Sequence, residues 1–259
     1  MSKKFFRALT LVICLTLVAP FFNTTIAFAA TEPQIIGASA ITMDMDTGEI
    51  IYSKNADVQR SPASTTKLLT SLLFAENKNK SDIISYTDVS AAVTETSLTN
   101  FIGNTAKAGD TLTADEVMDA VMVYSANDAA VMMAESVAGS VDAFCALMNQ
   151  RAQELGAVNT HFVSPNGLET DPNNHNVTTA YDLALIAKAA FQNDWVREAS
   201  GIDKTSVSLD GKKIYIETRN KILGVDGNIG GKTGNETKAG HCFVGFYNRN
   251  GRNLITVVL

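Results

Sequence analysis

The sequence predicts an α/β chain of the α+β type: a mostly antiparallel sheet formed by both chain ends and flanked by helices, with a second, all-helical lobe. Three observations predict it. Apolar and polar residues alternate from Ala38 to Asn55, as in a strand pair. From Ser64 to about Phe191 apolar residues recur mostly at helical spacing. After Ser200 strand-like segments return and continue to Leu259. A sheet lobe over about 35–63 and 200–259 thus encloses a helical lobe over about 64–199, and a cleft between lobes is the default place for a site.

Taken in order, the chain opens with Lys3, Lys4 and Arg7, an apolar run from Ala8 to Phe22, and the small-x-small triplet Ala27-Phe28-Ala29. This is the pattern of a secretory signal peptide over residues 1–29, with a retained anchor as the alternative. Residues 30–259 are then one extracytoplasmic domain in which no membrane anchor is visible. Without the leader, 18 basic residues face 27 acidic ones, a net charge of −9. That balance argues against a nucleic-acid partner, which needs a basic face.

Ile41, Met43 and Met45, the turn Asp46-Thr47-Gly48, then Ile50 and Tyr52 read as a β-hairpin. A helix starts at Ser64 and carries Leu68, Leu69, Leu72, Leu73 and Phe74 as core. Thr113-Ala-Asp-Glu116 is a capping box. Two apolar helices, Val117 to Val123 and Ala129 to Val137, follow it. Ser140 caps the next helix, whose Phe144, Leu147, Met148, Ala152 and Leu155 keep helical spacing until Gly156. Thr179-Ala-Tyr-Asp182 opens another, through Leu183, Ile186 and Ala190. Strands are expected over Thr205 to Leu209, Ile214 to Glu217, Gly231 to Glu236, His241 to Tyr247 and Leu254 to Leu259.

Beyond the leader only Cys145 and Cys242 remain, too few for a disulfide framework. His161, His175 and His241 are scattered, with no H-E-x-x-H or C-x-x-C, so no metal or other cofactor is expected.

Three short stretches carry chemistry. In Ser64-Thr-Thr-Lys67 the serine either caps a helix with its lysine in water, or is a nucleophile with a lysine base one turn away. Tyr124-Ser125-Ala126-Asn127-Asp128, between two apolar helices, is either a turn or a functional tip. Gly230-Gly231-Lys232-Thr233-Gly234-Asn235 places glycines inside a strand, which weakens it unless another backbone or a ligand comes close.

Together, S-T-T-K at 64, S-A-N at 125 and K-T-G at 232 resemble, in order and spacing, the signatures of penicillin-recognising serine enzymes. The finer resemblance is to the low-molecular-weight penicillin-binding proteins, the serine-type D-alanyl-D-alanine carboxypeptidases. It rests also on A-G-D-T-L-T, Y-S-A-N-D-A-A, M-N-Q-R-A-Q-E-L-G, T-H-F-V-S-P-N-G-L, T-T-A-Y-D-L-A and K-T-G-N-E-T-K-A-G-H-C, and spans nearly all of the chain beyond the leader.

The resemblance implies the penicillin-binding/β-lactamase-like fold. It also implies removal of the terminal D-alanine from peptidoglycan stem peptides through an acyl-enzyme, and acylation by β-lactams. Ser64 would be the nucleophile and Lys67 its base, for which the amine must be neutral. From an ordinary value of about 10.4, even sharing of the proton at pH 7 needs a fall of roughly 3 pH units, or about 4–5 kcal/mol. Burial and a second cation, Lys232, both act that way. Ser125 would relay a proton between Lys67 and the leaving amine, and Asn127 would hold the substrate amide and Lys67 in place. Lys232 and Thr233 would bind the substrate carboxylate, with Arg219 either a further contact or a solvated side chain. Gly234 would let the substrate lie along the strand, and the N–H of Asn235 would complete the oxyanion hole with that of Ser64.

Two other readings stay open. A β-lactamase shares the motifs but uses the glutamate of an E-x-x-L-N loop, which this sequence lacks. The other is an inactive peptide- or penicillin-binding relic. It arises because related enzymes continue past a strand like Leu254–Leu259 into a C-terminal helix and often a further domain. On that reading the chain is truncated and the sheet face bearing Val244, Phe246, Ile255 and Val257 is expected to lie partly open.

Overall fold

The computed structural model describes residues 33–103, 106–169, 171 and 173–259; the leader read over residues 1–29 lies outside them. The first hairpin pairs β1 (Ala40–Asp44) with β2 (Ile50–Lys54). Its turn is closed by Asp44, whose carboxylate accepts from the amides of Asp46 and Thr47 and from the Thr47 hydroxyl at 2.8–3.1 Å. A 3-10 turn, Ala63–Thr66, leads into α1 (Lys67–Asn77). There follow β3 (Ile83–Ser85), α2 (Asp88–Ala91), a second 3-10 turn (Leu98–Ile102), β4 (Thr111–Thr113) and α3 (Ala114–Asp119). A π-helical stretch, Ala120–Tyr124, precedes α4 (Asn127–Ala138), α5 (Val141–Glu154), α6 (Ala180–Gln192) and α7 (Asp194–Ser200). The chain ends in β5 (Lys204–Leu209), β6 (Lys212–Glu217), β7 (Asn228–Glu236), β8 (Gly240–Arg249) and β9 (Arg252–Val258).

The main sheet has five antiparallel strands in the order β2-β1-β9-β8-β7. Both ends of the described chain therefore meet in it. Ser39 and Leu259 lock the junction by exchanging two backbone hydrogen bonds of 2.8 Å each. Strands β5 and β6 form a separate hairpin, and β3 with β4 makes a short ribbon within the stretch read as all-helical.

The helix starts follow the capping signals. Thr113 and Glu116 complete both halves of a capping box, Ser140 Oγ accepts from Ala143 N–H, and Thr179 Oγ1 accepts from Asp182 N–H. The helix read from Ser64 differs. Ala63 stands in the left-handed region at φ +48°, the next residues turn tightly, and α-helical bonding begins only at Lys67. From Lys67 to Phe74 helix α1 is buried on every side: Leu68, Leu69 and Phe74 have no exposure, nor do the polar Thr70 and Ser71, and only its last turn reaches the surface. Thr70 is satisfied by donating to Pro165 O at 2.6 Å.

The sheet face expected to lie open is covered. Val244, Phe246, Ile255 and Val257 are at most 3 % exposed, because α6 packs across β1, β8 and β9 and Phe191 stacks on Phe246 at 5.1 Å between ring centroids. The half-buried residues Phe243, Tyr247, Leu254, Thr256 and Val258 point to the opposite face. This parity predicts that Phe246→Ala costs about 3–5 kcal/mol in denaturant unfolding, whereas Phe243→Ala costs much less. Equal losses would contradict the assignment of faces.

Candidate active site

The tight turn at Ala63 sets Ser64, half-buried, at the mouth of a cleft, and three residues later the chain places Lys67 directly behind it. The turn fits because its neighbours are small. A Cβ on Gly167 would fall 2.0 Å from Ala63 O, and one on Gly234 would fall 3.2 Å from Ser64 N. Gly167 itself has φ +83°, a region where glycine carries no penalty.

Lys67 has no exposure, and its Nζ has three neighbours: Ser64 Oγ at 2.8 Å, Asn127 Oδ1 at 2.6 Å and Asn166 O at 2.7 Å. An ammonium donates to all three. A neutral amine keeps two N–H bonds, to Asn127 and Asn166, and turns its lone pair to the serine hydroxyl. Burial, then the nearby Lys232 charge, push the Lys67 amine well below its ordinary value, against an opposing pull from Glu236 and Asp128.

Lys232 comes from the middle of β7 and is 1 % exposed. Its Nζ donates to Ser125 Oγ at 2.8 Å and to Thr233 O at 3.0 Å. Burial and the Arg219 charge lower it to about 7. Ser125 caps the π-helical stretch in a left-handed conformation, φ +72°. That costly backbone turns the serine toward Lys232, and the next two residues bring Asn127 to Lys67. Asn127 also donates from Nδ2 to Glu95 O at 2.7 Å and from its backbone to Thr96 O at 2.9 Å.

Ser64, Ser125, Arg219, Thr233, Gly234 and Asn235 line one cavity of about 480 Å³. Arg219 lies exposed at its edge with the guanidinium 4.7 Å from the Tyr124 ring centroid. A second cavity of about 400 Å³ shares Ser64, Thr96 and Asn235 with the first and adds Glu95, Asn127, Leu168, Glu236 and Thr237. The structure thus brings all nine residues singled out in the sequence to one cleft. The sequence reading missed Asn166 and the 95–96 segment, whose contributions are backbone carbonyls; only the S-P-N-G-L stretch, with its glycine, hinted at the first. Among the described residues no three His, Cys, Asp or Glu side chains gather as a metal site requires.

Residues 26–259 match the family model described as D-alanyl-D-alanine carboxypeptidase. The D-alanyl-D-alanine carboxypeptidase DacB2 of Mycobacterium tuberculosis is 31 % identical over 220 residues, covering 85 % of this chain and 73 % of the relative. DacF of Bacillus subtilis, of the same name, is 32 % identical over 231 residues, covering 85 % of this chain but 56 % of the relative, so the chain spans little more than half of that protein. The crystal structure of a D-alanyl-D-alanine carboxypeptidase from Mycobacterium tuberculosis superposes with a TM-score of 0.82 at 28 % identity, over 90 % of this chain and 85 % of that one. With the family model matching nearly the whole described sequence and the penicillin-binding fold shared, the chain belongs to the D-alanyl-D-alanine carboxypeptidase family of serine peptidases.

Proposed function

We propose that this chain removes the terminal D-alanine from stem peptides ending in D-Ala-D-Ala, outside the cytoplasm, and that penicillins acylate the same serine. One observation carries the reading: a lysine amine with no exposure lies 2.8 Å from the hydroxyl of Ser64, at the meeting point of two cavities. The leader-like segment over residues 1–29 supports the location, and family membership supports the substrate class.

In this reading Ser64 Oγ attacks the carbonyl of the penultimate D-alanine while its proton passes to the Lys67 lone pair. The N–H groups of Ser64 and Asn235 face the oxygen that becomes negative. Collapse breaks the peptide bond, and the departing amine takes a proton from Ser125, which is replenished from Lys232. A water then attacks the acyl carbon, passing its proton through Ser125 to the now neutral Lys232, and the ester bond breaks as Lys67 returns its proton to Ser64 Oγ. Thr233, Lys232 and Arg219 hold the substrate carboxylate, and Asn127 holds both the substrate amide and Lys67. Lys232, near 7, can serve as proton donor and carboxylate partner in turn.

The experiment is labelling of the purified chain with a fluorescent penicillin, with the adduct mapped by mass spectrometry. Labelling is expected at Ser64 and lost in Ser64→Ala; an adduct on another residue would overturn the assignment. The unlabelled chain is expected to release D-alanine from a D-Ala-D-Ala peptide, whereas rapid repeated turnover of a β-lactam would favour the β-lactamase reading instead.

A second prediction concerns pH. Acylation needs neutral Lys67, so its rate rises with pH along an acid limb. Removing the Lys232 charge withdraws a repulsion that lowers the Lys67 amine. The Lys232→Met variant should therefore show its acid limb displaced to higher pH, besides weaker carboxylate recognition. An unmoved limb would mean that the two amines are not coupled.

A further inference from the structure

Next to Asn127 stands a carboxylate for which the mechanism has no direct use. Asp128 has no exposure and, among the described residues, no ion-pair partner. Burying an unpaired carboxylate is costly, and burial pushes its pKa up. What it receives instead are hydrogen bonds. Tyr86 Oη donates at 2.7 Å, Leu98 N–H at 2.9 Å, Thr99 N–H at 3.3 Å and Ala129 N–H at 2.9 Å.

Three of those donors belong to elements other than α4. Tyr86 follows β3 and is itself buried. Leu98 and Thr99 begin the second 3-10 turn, immediately after the segment whose Glu95 and Thr96 carbonyls hold Asn127. Asn127 and Asp128 therefore grip one short stretch of backbone from both sides, the first donating to its carbonyls and the second accepting from its amides. The gripped stretch is strained. Thr96 sits at φ +45°, a region that β-branched residues rarely occupy, and its residue lines both cavities that meet at Ser64. Within the stretch Ser97 Oγ donates to Val93 O at 2.7 Å and to Glu95 O at 3.2 Å, while Thr99 Oγ1 is buried with no hydrogen-bond partner, so among the described residues the bonds that tie the stretch to α4 are those to Asn127 and Asp128.

We propose that Asp128 is a positioning residue: by accepting from Leu98, Thr99 and Tyr86 it holds Thr96 in its left-handed conformation, and so keeps the 95–96 carbonyls on Asn127 and Asn127 on the Lys67 amine. The proposal rests on the acyl-enzyme reading of Ser64 and Lys67. Without the carboxylate, the amides of Leu98 and Thr99 lose their acceptor and Thr96 relaxes to negative φ. Asn127 then loses its register against Lys67. A displacement of about 1 Å in such a contact costs on the order of 10²-fold in rate.

The test is the rate of acylation by a fluorescent penicillin in four forms of the whole chain: wild type, Asp128→Ala, Thr96→Gly and the double variant, each with its melting temperature. Alanine removes every side-chain acceptor, whereas asparagine would keep one oxygen for the same amides. Asp128→Ala should lose on the order of 10²-fold in acylation. Thr96→Gly in the same background should recover a clear part of that loss, because glycine adopts positive φ without the carboxylate's help. General loosening of the fold would not be repaired by adding a glycine. Wild-type rates in Asp128→Ala, or no recovery in the double variant, would overturn the proposal. If Asp128→Ala does not fold, Tyr86→Phe replaces it. That variant leaves both amide bonds in place and should lose roughly tenfold, in keeping with one hydrogen bond to a charged group, again with recovery by Thr96→Gly; no loss or no recovery overturns the idea. A wild-type chain that never acylates would fail the acyl-enzyme reading itself, whereas an acylating wild type beside an unimpaired Asp128→Ala fails the clamp alone.

Discussion

Two lysine amines removed from water within one site are the constraint around which this structure is arranged. Among the described residues neither Lys67 nor Lys232 has a carboxylate partner within ion-pair distance, and each is at most 1 % exposed. Two ammonium groups so placed would repel each other and each forfeit hydration, which in real proteins costs several kcal/mol per ion. Burial and mutual repulsion therefore favour the neutral amines, which turns a group useless as a base in water into one able to accept a proton. The acceptors around the two amines are neutral carbonyls, hydroxyls and an amide, which accept N–H bonds without stabilising the charge as a carboxylate would.

The fold supplies those neighbours from distant parts of the chain. The 3-10 turn before α1 gives Ser64 and Lys67, the tip before α4 gives Ser125 and Asn127, the loop after α5 gives Asn166 O, and β7 gives Lys232. Bringing β7 against the turn requires Gly234, and bringing the loop against Ala63 requires Gly167. The pairing of β1 with β9, closed by Ser39 and Leu259, joins the N-terminal hairpin to the C-terminal strands in the sheet that carries β7. Positive φ at Ala63, Thr96 and Ser125 clusters around the same cleft, so local backbone strain is concentrated where side-chain direction matters most.

Much of this was legible in the residues, and the rest was not for identifiable reasons. The Ser64 to Lys67 spacing, the Thr113–Glu116 box and the alternation of Ile41, Met43 and Met45 each follow a local rule, and local rules survive into the fold. The face bearing Val244, Phe246, Ile255 and Val257 was expected to lie open because its cover was sought in a helix after the last strand, whereas α6, from earlier in the chain, covers it; β8, apolar on both sides, gives no sign of this. Phe243 and Tyr247 are as hydrophobic as Val244 and Phe246, and the pleat alone does not say which pair meets α6. The π-helical stretch and the 3-10 start of α1 escaped because their side chains suit an α-helix equally well. Asn166, Glu95 and Thr96 escaped because they act through backbone carbonyls, which every residue carries.

The central claim is that Lys67 is neutral when Ser64 must be activated, and it can be measured directly. In the folded chain carrying isotope-labelled lysine, the side-chain ¹³Cε resonance of Lys67, assigned by its absence in a Lys67→Arg variant, can be followed from pH 5 to 11. The account predicts a titration midpoint well below the ~10.4 of an ordinary lysine amine. A Lys67 that titrates together with the surface lysines would contradict it, and would leave Ser64 without a base.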